Sequence, residues 1–158
     1  MRTHILSAIA LMILAGPALA QGDAAKGEKE FGKCKACHAI VADDGTVIMK
    51  GTKTGPNLYG VMGRQAGTVE GFKYGPGLRE AGEMGLVWTT ETLVKYVEDP
   101  SKFIKEFTND DKAKSAMAFK LKKGVEDIAA YLESVGPAPD GASAPADAPA
   151  AADETAAE

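Results

Sequence analysis

Five consecutive residues, Cys34-Lys35-Ala36-Cys37-His38, hold the only cysteines in the chain and one of its two histidines. A CxxC pair alone could be a redox dithiol, half of a zinc site or a disulfide. The histidine that follows changes the chemistry. In C-x-x-C-H the two thiols add across the two vinyl groups of a haem, and the histidine lies under the iron as an axial ligand. The spacing suits this, because two cysteines three positions apart match the vinyl separation while the chain turns under the ring. A structural zinc site needs four protein ligands, and only Cys34, Cys37 and His38 are available once His4, which lies in the leader described below, is set aside. A thioredoxin-like dithiol would sit in a βαβ pattern, which the sequence lacks. A disulfide would not require His38.

One axial ligand leaves a sixth position to fill. With a single histidine in the mature chain, a monomer cannot be bis-histidine. The candidate sulfur ligands are Met49, Met62, Met84 and Met117. The ordinary work of methionine is to fill core gaps. Met117 lies in Ser115-Ala116-Met117-Ala118-Phe119, a loop between two helical patterns. Loop placement favours it, and the other three stay open on residue type alone.

The elements that must position these groups are helical. Gly27, Phe31 and Cys34 fall on one face of a helix starting near Asp23-Ala24. A Gly-rich stretch, 38–74, reads as a long loop with a brief alternating segment at 46–49. Long loops of this kind are uncommon unless functional. Residues 76–84 suit a short helix. Thr89 suits an N-cap for a helix ending at Asp99, and Asp99-Pro100 suits the start of another to about Phe107. Val125, Ile128, Leu132 and Val135 form one stripe with Tyr131 beside it, closed by Gly136-Pro137. The fold class is all-α, about five helices and long loops wrapped around one covalently bound haem.

The two ends are of different character. Residues 1–20 have Arg2, an apolar run from Ile5 and the small-x-small site Ala18-Leu19-Ala20, a signal peptide expected to be cleaved and to send the chain to the periplasm. Residues 136–158 are mostly Ala, Pro, Asp and Glu with no aromatic or large aliphatic side chain, a tail expected to be disordered because it can bury almost nothing. The formal charge of -4 divides accordingly. The leader carries one positive charge and the tail five negative ones, while residues 21–135 hold seventeen basic and seventeen acidic side chains. Nothing in this balance suggests nucleic acid, whose partners are strongly basic. The region 112–123 nevertheless gathers Lys112, Lys114, Lys120, Lys122 and Lys123 without one acid, and Lys33 and Lys35 flank Cys34.

The chain resembles the class I cytochromes c, above all the large soluble bacterial ones related to mitochondrial cytochrome c. The resemblance spans about residues 22–135. It rests on Gly27 and Phe31 ahead of CKACH, on 54–60 (TGPNLYG) with Gly63-Arg64, and on Trp88, Tyr96 and 115–119 (SAMAF). It implies that Met117 is the sixth ligand and that the Pro56 carbonyl accepts the His38 Nδ1–H. It further implies that Tyr96 bonds the Met117 sulfur and that Arg64, Tyr74, Trp88 and Ser115 hold the haem propionates. Gly27 and Phe31 would lie where the first helix crosses the last, near Ile128 and Tyr131. Longer loops at 43–53 and 76–86 depart from the family pattern.

With both axial positions filled, the implied activity is one-electron transfer between respiratory, photosynthetic or denitrifying complexes, and not catalysis. The alternative is a haem enzyme or gas sensor with an open or displaceable sixth site. Expected partners are acidic docking surfaces, as of a cytochrome bc complex and cytochrome c oxidase or other periplasmic reductases, met by a monomer at most peripheral to the membrane. Haem would also supply the apolar centre that short helices and long loops lack. The Cys34→Ala/Cys37→Ala chain should therefore lose helical far-UV circular dichroism and cooperative unfolding; native-like cooperative unfolding would contradict this.

Overall fold

The computed structural model describes residues 22–137. The leader at 1–20 and nearly all of the 136–158 tail lie outside the described residues. Five α-helices are present: α1 (Ala24–Glu30), α2 (Pro76–Glu83), α3 (Thr90–Glu98), α4 (Pro100–Thr108) and α5 (Val125–Ser134). A 3-10 turn, Phe31–Lys33, extends α1 toward the cysteines. Among the described residues no helix is long and apolar enough to cross a membrane.

The helix boundaries follow local chemistry. Asp23 caps α1 by accepting from the Lys26 N–H. Thr89 and Thr92 exchange side chain-to-backbone hydrogen bonds at the start of α3, a reciprocal cap that satisfies two otherwise orphaned donors. Asp99 is extended, as the residue before a proline prefers, so α3 stops there. The same side chain accepts from the Lys102 N–H and starts α4. Asn109 ends α4 in the left-handed region, at φ 52°.

The long loop contains one piece of order beyond the helical reading. β1 (Ile40–Val41) pairs antiparallel with β2 (Val47–Met49), with Ile40 opposite Met49 and Val41 opposite Val47. The alternating residues at 46–49 thus have a partner too short to show any periodicity of its own. Asn57 ties this hairpin to the next turn: its Oδ1 accepts from Val41 N–H at 3.0 Å and its Nδ2 donates to the Val41 carbonyl at 2.7 Å.

The core runs from the α1–α5 crossing through Leu86, Trp88 and Tyr96 to Ile104. Phe31 is fully buried, its ring 5.8 Å from that of Tyr131. Val125, Ile128 and Leu132 are buried along α5, as their spacing predicts. At the crossing itself, a Cβ on Gly27 would stand 1.9 Å from the Asp127 carbonyl oxygen, so the two backbones touch only because that atom is missing. Gly27→Ala should cost about 1–3 kcal/mol or more of overpacking, read as a lower urea midpoint of the holoprotein. Gly32→Ala, where a Cβ meets nothing within 4 Å, should be neutral or slightly stabilising.

Candidate haem site

The pentapeptide forms a tight turn at the end of α1. Cys37 and His38 N–H groups both donate to the Cys34 carbonyl, at 3.0 and 2.9 Å. Residues 51–55 fold back over this turn: Thr52 N–H donates to the Lys35 carbonyl at 3.1 Å, its Oγ1 to the Ala36 carbonyl at 2.7 Å, and Gly55 N–H to the Cys37 carbonyl at 2.6 Å. Cys34 is half-buried and Cys37 exposed.

His38 is held by the same fold-back. Its Nδ1 lies 2.8 Å from the Pro56 carbonyl oxygen. A carbonyl can only accept, so Nδ1 carries the proton and Nε2 presents its lone pair. Burial lowers the imidazole pKa, opposed in part by the Pro56 bond, which favours the neutral ring, the form able to bind a metal. A Cβ on Gly55 would sit 2.4 Å from His38 Cε1 and 2.6 Å from Nδ1, so glycine is what lets the loop lie flat against the ring. Gly55 and Asn57 stand in the TGPNLYG stretch that carries the family resemblance, but the sequence assigns neither of them a role.

A second group of the expected residues gathers around Met117. The Tyr96 hydroxyl is 2.7 Å from Ser115 Oγ, and the Met117 N–H donates to that same Oγ at 3.0 Å. Tyr96 thus reaches the Met117 segment through Ser115, where the family resemblance implied a bond to sulfur. The two readings are compatible in proton bookkeeping: if Ser115 donates to Tyr96, the phenolic proton is left for another acceptor. Trp88 packs edge-on to Tyr96 with ring centroids 5.0 Å apart. Its backbone pairs with the Arg64 segment, the Trp88 N–H donating to the Arg64 carbonyl at 3.0 Å and the Trp88 carbonyl accepting from the Gly63 N–H at 2.8 Å.

Arg64 is half-buried, and its guanidinium donates to the carbonyls of Tyr59 at 2.8 Å and Asn57 at 3.2 Å. Burial lowers its pKa, with Tyr74 close enough to oppose that. Burial likewise raises the Tyr74 phenol. Met49, Leu58, Met62, Leu93 and Leu121 are partly buried against the core, as is Met117, so apolar surface adjoins both groups. A neutral, oriented imidazole, two cysteines in attachment spacing and a methionine in an ordered loop fit a covalently held haem. No cluster of three or more His, Cys, Asp or Glu side chains that could hold a bare metal ion occurs among the described residues.

No family model matches the chain. It is 61% identical over 127 residues to cytochrome c2 of Rhodobacter capsulatus, covering 80% of this chain and 92% of that protein. It is 51% identical over 150 residues to cytochrome c-550 of Paracoccus versutus, covering 93% and 97%. Among solved structures, that of R. capsulatus cytochrome c2 aligns with a TM-score of 0.70 at 62% identity, over 72% of this chain and 98% of that one. Ferric cytochrome c-550 of P. versutus aligns with a TM-score of 0.71 at 55% identity, over 73% and 99%. With such identity across nearly the whole of these relatives, and with Cys34 and Cys37 in the haem-attachment arrangement, the chain belongs to the class I bacterial cytochromes c of the c2 and c-550 kind, electron-transfer proteins and not enzymes.

Proposed function

We propose that this carrier works in the periplasm with His38 and Met117 as the two axial ligands of a haem joined through Cys34 and Cys37. The observation that carries the reading is the His38 Nδ1 to Pro56 carbonyl bond at 2.8 Å, which commits the ring to offering Nε2. When bound, the haem iron supplies one reversible Fe(III)/Fe(II) couple. Met117 closes the sixth position, which leaves no open site for a substrate or gas. A neutral thioether and partly buried apolar neighbours favour the state of lower charge, which raises the reduction potential. Two neutral ligands that stay in place through the cycle keep reorganisation small. Arg64, Tyr74, Trp88 and Ser115 serve the propionates, and Tyr96 and Ser115 steady the Met117 side. The Ala18-Leu19-Ala20 cleavage pattern supports export to the periplasm. In the ferric protein a far-red sulfur-to-iron absorption band is expected, and Met117→Ala should abolish it; a high-spin wild-type spectrum would favour the sensor or enzyme alternative.

Docking would use the lysines around Met117. Lys112, Lys114, Lys122 and Lys123 are exposed and form no ion pair among the described residues, whereas Lys120 is bonded to Asp99 and Lys33 to Glu30. Membrane redox complexes with acidic surfaces, a cytochrome bc complex on the donor side and cytochrome c oxidase on the acceptor side, suit this patch. Opposed charge steers such encounters and is screened by salt. Lys122→Gln/Lys123→Gln should slow association with a cytochrome c oxidase about 2–10-fold at low salt and have little effect at high salt. An unchanged low-salt rate would remove the patch from docking.

A further inference from the structure

The Met117 loop is anchored on both sides of the methionine to one short stretch, residues 97–101, where α3 turns into α4. Two positions before Met117, the Ser115 N–H donates to Ser101 Oγ at 3.3 Å. Three positions after it, Lys120 Nζ meets Asp99 Oδ2 at 2.6 Å, and four after it the Leu121 N–H donates to the Val97 carbonyl at 2.9 Å. Asp99 uses its other oxygen, Oδ1, to cap α4 through the Lys102 N–H at 3.2 Å. Its carboxyl is held below the usual range, chiefly by the Lys120 hydrogen bond, and is ionised at neutral pH. Of the three anchors, the Asp99–Lys120 pair is the one made between side chains, and it joins elements twenty-one residues apart.

We infer that Asp99 is a positioning residue for Met117: its ion pair with Lys120 holds the loop closed and so sets how fast the methionine sulfur leaves the iron. This rests on the assignment of Met117 as axial ligand. The exchange it governs is a simple substitution in the ferric protein. The iron–sulfur bond breaks, a nitrogen of added imidazole forms a bond in its place, and neither an electron nor a proton is transferred.

Asp99→Asn separates the two duties of the residue, because asparagine caps a helix as well as aspartate does but carries no charge for Lys120. The measurement is the rate at which imidazole abolishes the far-red band of the ferric holoprotein. Asp99→Asn and Lys120→Gln should each accelerate exchange about 2–5-fold at low salt, the range an exposed ion pair supports. The double variant should be no faster than either single one, and high salt should bring the wild type close to the variants. Lys122→Gln makes the same charge change without the pair and should leave the rate unchanged. Thermal unfolding followed at 222 nm should move little in Asp99→Asn, separating loop opening from loss of the fold. Additive effects in the double variant, equal acceleration by Lys122→Gln, or no acceleration at all would overturn the assignment of Asp99. Absence of the far-red band in the wild type would instead overturn Met117 as ligand, and the inference with it.

Discussion

A part-buried imidazole must satisfy one ring nitrogen inside the protein before the other can be offered to a metal. Here the Pro56 carbonyl does this at 2.8 Å, and much of the surrounding architecture exists to bring that carbonyl there. The loop 51–55 is stitched to the backbone of the cysteine turn at Lys35, Ala36 and Cys37. Gly55 lies flat on the ring because it has no Cβ. Asn57 then fastens the far end of the loop to the small hairpin through both polar atoms of its amide. A carbonyl bonded to the far ring nitrogen fixes the tautomer and orientation of a histidine that binds a metal, so the long loop is a positioning device and not filler.

The methionine side is built differently. His38 is fixed by backbone folded directly upon it, whereas Met117 sits mid-loop between exposed neighbours, Ala116 and Ala118, and depends on contacts made by residues on either side of it. Ser115 organises the approach, accepting from the Met117 N–H and pairing with Tyr96. Tyr96 is in turn fixed by Trp88 and Phe103. His38 is therefore held rigidly and Met117 through a surface-exposed set of tethers. The same stretch carries the exposed Lys112, Lys114, Lys122 and Lys123, so the proposed roles in ligand retention and in docking fall on neighbouring residues.

Much of this was readable from residue order. Thr89 and Asp99-Pro100 mark helix starts by cap and proline chemistry, and the 125–135 stripe marks α5 by its period. CKACH identified the cofactor because the histidine narrows the chemistry of the cysteine pair. What stayed hidden depended on long-range placement. β1 is only two residues long, below the length at which alternation can be seen. The contact between Gly55 and His38 spans seventeen positions, and a glycine in a loop has no pattern that reports what lies above it. Lys120 read as one more docking lysine, because nothing local reveals that Asp99 faces it. Tyr96 was placed near Met117 through the family resemblance, but its bond to Ser115 needed the geometry of the loop.

The crossing at Gly27 joins the first helix to the last, and Asp23 N–H reaches Asp127 Oδ1 across a separation of 104 residues. Contacts so distant in sequence are the slowest to form, because the entropy of closing the intervening chain is lost before they repay it. During synthesis the apolar face bearing Phe31 has no α5 to cover it until residues 125–134 have emerged. The helix that leads into the two cysteines is therefore left without its packing partner until the last helix of the fold has been made.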